Sequence, residues 1–227
     1  MSQPNNRAVL VLRLQGPLQS WGHNSQFNRR NTALFPTKSA IAGMCCAALG
    51  LSRGSAEEKI ALEKFAAVKL TCITVPKKRK GKELFVKRMQ DYHTVQGTVK
   101  PDGKPKGDAV LTYRQYLNDA FFYALLEGDR VFLEEIGNGL QNPVWGIWLG
   151  RKACIPSAPV FAGMFESEND AINGLLKEKS LDAFTHMREV DSFGQGIDSY
   201  MDQAVSFEST ARQFTPRRVL LKETKIG

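Results

Sequence analysis

The chain of 227 residues is 42% hydrophobic and 24% charged, which is typical of a globular protein with its own core and excludes disorder throughout. Its formal net charge is +8, and no apolar run reaches the length of a membrane span. Because residues 1–7 are polar and lack the apolar centre of a signal peptide, we expect a cytoplasmic protein with no membrane partner.

The first predicted elements are a strand and a helix. Residues 8–14 are almost continuously apolar, which is typical of a strand buried on both faces of a sheet. Apolar residues between Ile41 and Leu49 recur at helical spacing, so we expect a helix there. Thr37 is its expected N-cap, and Gly50 is its expected C-terminal stop.

The later elements alternate in the same way. A capping box beginning at Ser55 predicts a second helix. Tyr123, Trp145 and Trp148 are expected in the core, since large aromatic residues are usually well buried. The remaining expected elements are strands at residues 68–75, 112–126, 143–149 and 218–222, helices at 129–140 and 169–178, and a polar loop at 192–202.

This order of elements favours an α+β fold of the ferredoxin-like or RRM-like type, with one sheet covered on one face. We expect residues 1–75 and 112–165 to form the core and residues 76–111 to be a long basic insertion. Residues 166–227 are expected to be a small extension that packs on the core.

The insertion carries most of the charge. Residues 76–106 contain ten lysines and arginines against three acids, a balance of +7. Charge gathered in one segment attracts a polyanion, and Phe85, Gln90, Tyr92, His93 and Gln96 among the cations are the types that contact unstacked bases. The alternative is a solvated loop whose lysines maintain solubility. The mixture of residues favours RNA.

Metal chemistry is not expected. Cys45, Cys46, Cys72 and Cys154 lie in apolar runs without a Cys-x-x-Cys spacing, which indicates buried thiols in a reducing compartment. The three histidines do not have a metal-ligand spacing either. We therefore expect no metal and no cofactor.

Five segments together resemble a known family, in the same order along the chain: LQGPLQSWG at residues 14–22, FPTKSAIAG at 35–43, DYHT at 91–94, TYRQYLNDA at 112–120 and LGRKACIP at 149–156. They resemble the CasD family, the subunit of type I-E CRISPR Cascade that binds the 5′ handle of the guide RNA (crRNA). This family belongs to the repeat-associated RNA-binding (RAMP) superfamily. The resemblance is good over residues 10–160 and thereafter depends mainly on residues 212–214.

The resemblance implies a ferredoxin-like core with a protruding thumb, here a basic β-hairpin at residues 76–111. It implies a non-catalytic subunit of an antiviral ribonucleoprotein complex, which binds the crRNA 5′ handle and caps the backbone filament. The implied partners are the Cascade backbone subunits, the large subunit that recognises the PAM, and target DNA through the complex. The glycine-rich loop common late in the superfamily is reduced to residues 194–196, which leaves an RNA role for that region open.

Candidate RNA-binding residues follow from the pattern and the resemblance together. Lys38 opposes the macrodipole at a helix start, which favours a bound anion there, although a tolerated surface lysine is the alternative. Arg114 and Tyr116 share a strand face, and Trp21 could equally be a core residue. The full set is Gln19, Trp21, Arg29, Arg30, Thr37, Lys38, Ser39, Lys77, Lys78, Arg79, Lys80, Lys87, Arg88, Tyr92, His93, Thr94, Arg114, Tyr116, Arg151 and Lys152.

Two other functions remain open. Tyr92, His93, Lys87 and Arg88 include the residue types of a metal-independent endoribonuclease, and related type I-C Cascade subunits process repeat RNA with such residues. Because a separate subunit cleaves in type I-E, we interpret His93 as a contact to the handle. A generic single-strand RNA-binding protein is the third possibility.

Overall fold

The computed structural model describes residues 6–26, 28–79, 82–84, 86–100, 102–105, 107–176, 183–192, 194–196 and 198–225. Within these ranges the helices are α1 Lys38–Leu49, α2 Ala56–Ala66, α3 Arg130–Gln141 and α4 Glu168–Leu176. The strands are β1 Arg7–Gln15, β2 Leu18–Gln19, β3 Arg29–Arg30, β4 Lys69–Thr74, β5 Lys77–Arg79, β6 Lys82–Leu84, β7 Lys87–Val95, β8 Val110–Asn118, β9 Phe121–Asp129, β10 Phe161–Phe165, β11 Ala183–Val190, β12 Asp198–Ser206 and β13 Gln213–Lys225. The prediction of an α+β fold is confirmed.

The main sheet has seven strands in the order β10-β1-β9-β4-β11-β13-β12, and all neighbours are antiparallel. The first four strands of this spatial order are β10, β1, β9 and β4. Numbered by their order along the chain, they are the fourth, first, third and second of the four, which is the strand order of a ferredoxin-like split βαβ unit. The last three strands extend this unit at the edge formed by β4.

Both faces of the main sheet are covered. Leu10, Leu12 and Leu14 of β1 pack in the core beneath α1, α2 and α3. Val9 and Val11 point to the opposite face and pack in a second cluster that includes residues of α4. The prediction that residues 8–14 are buried on both faces is confirmed, whereas the expectation of a sheet covered on one face is wrong because α4 covers the other.

The helix ends agree with the capping residues expected from the sequence. Thr37 is the N-cap of α1, and Gly50 ends that helix in the left-handed region, with φ of 73°. The Ser55 hydroxyl accepts a hydrogen bond from the Glu58 amide at 3.1 Å, as a capping box requires. Asp129 caps α3 in the same way through the Phe132 amide, at 3.0 Å.

A second sheet contains β2, β8 and β3 in that order, and β7 pairs along the whole of β8. The strand expected at 112–126 is two strands, because Asp119 has a φ of 53° and turns the chain between β8 and β9. Residues 112–118 therefore pair with the basic segment rather than with the main sheet, contrary to the expected boundary. Along the chain, β5 and β6 lie between β4 of the main sheet and β7 of the second sheet, and they form a short hairpin.

The strand expected at residues 143–149 is wrong, and so is the burial of its tryptophans. This segment is a loop whose amides bond to the end of α1, Val144 N to Ala48 O at 3.0 Å and Trp145 N to Ala47 O at 3.2 Å. Trp145 and Trp148 are 45% and 38% exposed. Tyr123 is buried, as predicted.

The C-terminal segment differs most from expectation. Part of the polar loop expected at 192–202 is the start of β12, and β13 is longer than the strand predicted at 218–222. The helix predicted at 169–178 is confirmed as α4 over its described part.

A buried charge network joins the C-terminal strands to α1. Arg217 of β13 makes two hydrogen bonds to Asp202 of β12, at 2.6 and 3.0 Å. Asp202 also accepts the Lys38 amide at 2.8 Å, at the N-terminus of α1. The Lys38 ammonium pairs with Glu189 of β11 at 2.9 Å, and Glu189 accepts the amide of Leu70 in β4 at 3.2 Å. Two cations and two anions are thus brought together without net charge.

All four cysteines are buried and free, as predicted. Burial raises the pKa of the Cys72 thiol to about 12, so it stays protonated near neutral pH. Among the described residues we find no group of three or more histidines, cysteines or carboxylates arranged to hold a metal ion. None of the described helices has the length and hydrophobicity needed to cross a membrane.

The charge network predicts that Lys38 contributes to stability. Lys38→Met keeps most of the side-chain volume but leaves Glu189 without its nearest cation. Breaking a buried ion pair costs about 3–5 kcal/mol. Because Arg217 remains 3.9 Å from Glu189, we expect the lower end, about 3 kcal/mol. For a chain of this size, thermal melts should show a fall in Tm of roughly 6–12 °C.

The matched control for that measurement is Lys59→Met, on an exposed position of α2. It should change stability by no more than about 0.5 kcal/mol. Equal melting temperatures for the two variants would contradict a structural role for Lys38.

Candidate RNA-binding surface

One face of the second sheet presents stacked aromatic and cationic side chains. Tyr92 of β7, Tyr113 of β8 and Arg29 of β3 are register partners across three adjacent strands. The two tyrosine rings lie 5.3 Å apart between centroids, and the Arg29 guanidinium lies 5.5 Å from the Tyr113 ring. Tyr92 is 57% exposed. Strand alternation adds the exposed Arg88 to this face, and we call these four residues the platform.

The platform can hold both parts of a nucleotide. Exposed tyrosine rings stack on bases of any sequence, and the two arginines attract the phosphates between them. The position of Arg29 depends on the pairing of the short β3 with β8, where the Tyr113 amide donates to the Asn28 carbonyl at 2.8 Å.

The opposite face of β8 does not provide the pair of residues expected from the sequence. Arg114 and Tyr116 do share this face, but Arg114 donates to the Thr112 hydroxyl at 3.1 Å and Tyr116 is buried. The Arg151 guanidinium covers the Tyr116 ring at 4.7 Å. Tyr116 is therefore a packing residue, and only half-buried Arg114 stays accessible for a phosphate.

Arg151 connects the strands beneath the platform. Its guanidinium donates to the carbonyls of Arg30 at 2.8 Å and Gln115 at 3.2 Å, and so links β3 to β8. Lys152, which follows it, is exposed. Arg151 thus positions the platform residue Arg29 through its neighbour, and it brings a cation to the same area.

The predicted residues of the basic segment fall into three sets. Lys87, Arg88, His93 and Thr94 are exposed along β7, where they remain candidates. Lys77 is ion-paired with Asp119 at 3.1 Å on an exposed surface. The side chains of Lys78 and Arg79, and the whole of Lys80, lie outside the described residues.

Comparison with known protein families identifies the family of the chain. The family model described as "CRISPR-associated protein (Cas_Cas5)" matches residues 9–220. The chain belongs to the Cas5 family of CRISPR-associated proteins. The resemblance to a CRISPR-associated family noted in the sequence is thereby confirmed.

Two solved structures and one curated protein are similar to the chain. "CRISPR system Cascade subunit CasD" of Escherichia coli (strain K12) is 30% identical over 167 residues, 72% of this chain and 74% of that protein. A structure titled "CRISPR RNA-guided surveillance complex" matches with a TM-score of 0.76 at 26% identity, over 96% of this chain and 90% of that one. A second, titled "Crystal structure of Cas protein", matches with a TM-score of 0.65 at 26% identity, over 96% and 95% of the two chains.

In this member of the Cas5 family, the N-terminus of α1 already holds an anion. The Asp202 carboxylate accepts the Lys38 amide there, and the Lys38 side chain is fully buried against Glu189. Burial lowers the pKa of Lys38, and the Glu189 carboxylate opposes that shift. Thr37 is buried too. The Asp202 carboxylate occupies the position expected for an RNA phosphate, so Thr37 and Lys38 are not part of the candidate surface.

Three further predicted residues are partly or fully buried: Ser39, Gln19 and Trp21. Ser39 is half-buried and 3.5 Å from the Thr37 hydroxyl. Gln19 and Trp21 are fully buried. The Gln19 amide donates to the carbonyls of Leu14 and Ala120, at 2.9 and 2.7 Å, and its oxygen accepts the Trp21 indole N–H at 3.1 Å. Both side chains fix the turn after β1, and the alternative of a core Trp21 is the correct one.

Sequence reasoning missed Tyr113, the central ring of the platform. It selected Arg114 and Tyr116, whose shared face is covered by Arg151. The signal that could have found it is strand pairing, because Tyr92 and Tyr113 become neighbours once β7 and β8 are aligned as a hairpin.

Gly150 allows the backbone before Arg151 to approach the backbone of Ser20 closely. Its φ is 97°, and an added Cβ would lie 1.8 Å from the Ser20 carbonyl oxygen. Gly150→Ala must therefore move one of the two backbones. We expect a loss in the free energy of unfolding of more than about 3 kcal/mol, the upper end for local backbone strain. Urea unfolding measures it.

Gly97→Ala is the control, since Gly97 also has a positive φ, of 66°, but no atom lies within 4 Å of its Cβ position. That change should cost only the left-handed strain of about 1–2 kcal/mol. If the two variants lose equal stability, the contact with Ser20 is not the constraint.

Proposed function

We propose that this Cas5-family protein is a non-catalytic subunit of a Cascade-type surveillance complex and binds the 5′ handle of the crRNA. The platform carries this proposal, because its rings and guanidinium groups suit single-stranded RNA rather than a small polar substrate. The similarity to a protein named as a Cascade subunit supports the assembly. A structural match titled as an RNA-guided surveillance complex also supports it.

The charge of the basic segment fits this role. The +7 balance of residues 76–106 gives a positive field next to the platform, which attracts RNA before any ring stacks. Bases of a hooked single strand would stack on Tyr92 and Tyr113, while Arg29 and Arg88 contact phosphates. The residues of β7 and β8 beyond the platform would form the thumb and extend beside the first spacer nucleotides.

Within the complex we propose that the subunit caps the filament of backbone subunits and helps dock the large PAM-recognising subunit. Sequence specificity for the target DNA would come from pairing with the guide, so this protein would set where the guide begins. Antiviral defence is the function of such an assembly.

The geometry of β7 favours binding over cleavage. Tyr92 and His93 are consecutive on one strand, so their side chains point to opposite faces. Tyr92 faces Tyr113, whereas His93 lies 3.7 Å from Asp91 on the other face. An acid and a base must reach the same phosphate, and these two do not.

The platform predicts separate effects of its rings and its cations, which RNA titrations can measure. Tyr113→Ala removes a stacking ring and should weaken binding of the cognate single-stranded repeat RNA by about 1–3 kcal/mol, without changing the salt dependence. Arg29→Ala removes one cation from the RNA backbone and should lower the slope of log affinity against log salt by about 0.7, the value for one phosphate of a single strand. Fluorescence anisotropy at several salt concentrations gives both quantities.

Conservative changes serve as matched controls. Tyr113→Phe keeps the ring and should bind like wild type, and Arg29→Lys should keep the salt slope while losing the planar contact with Tyr113. Wild-type affinity in both alanine variants would show that the platform is not the RNA site.

A separate prediction addresses catalysis. Incubation of the purified protein with the cognate repeat RNA, with and without a chelator, should leave the RNA intact, because the candidate acid and base are on opposite strand faces. Denaturing gels with a protein-free control measure this. Specific cleavage that disappears in His93→Ala would instead establish the endoribonuclease.

A further inference from the structure

The face of the molecule beside α1 carries an aromatic cleft that the platform does not use. It has a volume of about 430 Å³ and lies between α1, the residues that follow it and two further segments, around residues 145–150 and 207–214. Trp145, Trp148, Phe207 and Phe214 line it. Trp145, Trp148 and Phe214 are 45%, 38% and 37% exposed, although rings of this size are usually buried.

The rings are held on a fixed backbone rather than on a loose loop. The amides of Val144 and Trp145 bond to the last carbonyls of α1. The Trp148 indole lies against the backbone of Gly146, where an added Cβ would be 2.8 Å from the ring. Phe207 and Phe214 pack edge to face, with centroids 6.4 Å apart. Such preorganised rings lose little conformational entropy when a ligand binds.

The charge of the cleft favours an anionic ligand. Arg53 and Arg212 line it, and among the described residues neither has an ion-pair partner. Glu58 is the one carboxylate among the described lining residues, and it is buried and accepts the Gly54 amide at 2.7 Å. Rings for a base and guanidinium groups for a phosphate are the elements of a nucleotide site.

The cleft adjoins the segment that carries Arg151, the residue that links β3 to β8. Gly22 and Gly150 line the cleft. Gly150 precedes Arg151, which bonds to the carbonyl of Arg30 beside platform residue Arg29. Arg151 lies on the sheet face opposite the platform, over the Tyr116 ring, and it brings a cation next to the lining residue Gly150.

We propose that the cleft binds a nucleotide of the same single-stranded RNA, with its base stacked on Trp145 or Trp148 and a phosphate at Arg53 or Arg212. The volume falls within the range of about 300–1,000 Å³ for sites that take small ligands. This inference rests on the proposed RNA-binding function and adds a second contact point to it. Arg53 and Arg212, which have no ion-pair partner among the described residues, favour RNA over an apolar protein segment.

Tryptophan fluorescence provides a direct test. The chain has three tryptophans, and Trp21 is fully buried, so a stacked base should quench mainly Trp145 and Trp148. The intact protein is titrated with an eight-nucleotide oligoadenylate RNA. We expect saturable quenching that is reduced in Trp145→Phe or Trp148→Phe. The double change to alanine should weaken binding about tenfold or more.

Matched variants isolate the charge and the ring positions. Arg53→Ala and Arg212→Ala together should lower the salt slope by about 0.7 for each phosphate that a guanidinium neutralises, whereas Lys59→Ala on α2 should leave it unchanged. Gly146→Ala must displace the Trp148 indole, so it should reduce quenching while circular dichroism stays that of the wild type. Val131→Ala, an exposed apolar change on α3, should behave as wild type.

The outcomes separate this inference from the proposed function. If Tyr113→Ala weakens binding but the cleft variants bind and quench as wild type, the protein binds RNA without the cleft and the inference is overturned. If neither set matters, both proposals fail. If the cleft variants bind RNA normally but no longer enter the assembled complex, the cleft is a protein-docking surface, and the nucleotide assignment is again overturned.

Discussion

The buried pairing of Asp202 with Arg217 and the Lys38 amide is the constraint on which the arrangement of the molecule depends. An unpaired charge cannot remain in the interior, so β12, β13 and the start of α1 must meet in one register. The ion pair between Glu189 and the Lys38 ammonium fixes β11 against α1 for the same reason. The C-terminal strands are therefore fixed to the sheet edge by charge matching as well as by backbone pairing.

This internal pairing moves RNA recognition away from the helix terminus. A helix N-terminus attracts anions through free amides, but here the protein's own carboxylate uses that attraction for folding. Phosphate contacts must come from side chains elsewhere. The second sheet supplies them, because its short β3 and its hairpin of β7 and β8 bury little of the face that carries Tyr92, Tyr113 and Arg29.

The sequence predicted local features well and long-range ones poorly. The Ser55 cap depends on a neighbour three residues away, and the predictions of α1, α2 and α3 were confirmed. Thr37 is the N-cap of α1 by its backbone position, but its side chain makes no cap hydrogen bond. The fate of Lys38 could not be predicted, because its partner Glu189 is 151 residues away. Residues 143–149 have the composition of a strand, but two of their amides donate to carbonyls at the end of α1. The sequence of β12 is too polar to suggest a strand. The family could be identified from short matching segments of the sequence. The platform could be identified only after the pairing of β7 with β8 was known.

Arg151 determines how the stable and the RNA-facing parts are joined. Its guanidinium bonds to carbonyls and lies on a ring, and among the described residues no carboxylate pairs with it. Hydrogen bonds to neutral carbonyls leave the positive charge uncompensated, so it contributes to the field over both the platform and the aromatic cleft. A lysine could supply that charge but not the planar fork that reaches two strands at once. Arg151 therefore holds β3 against β8 and also attracts a polyanion to the surface around them. One side chain supplies both the structural link and the positive charge.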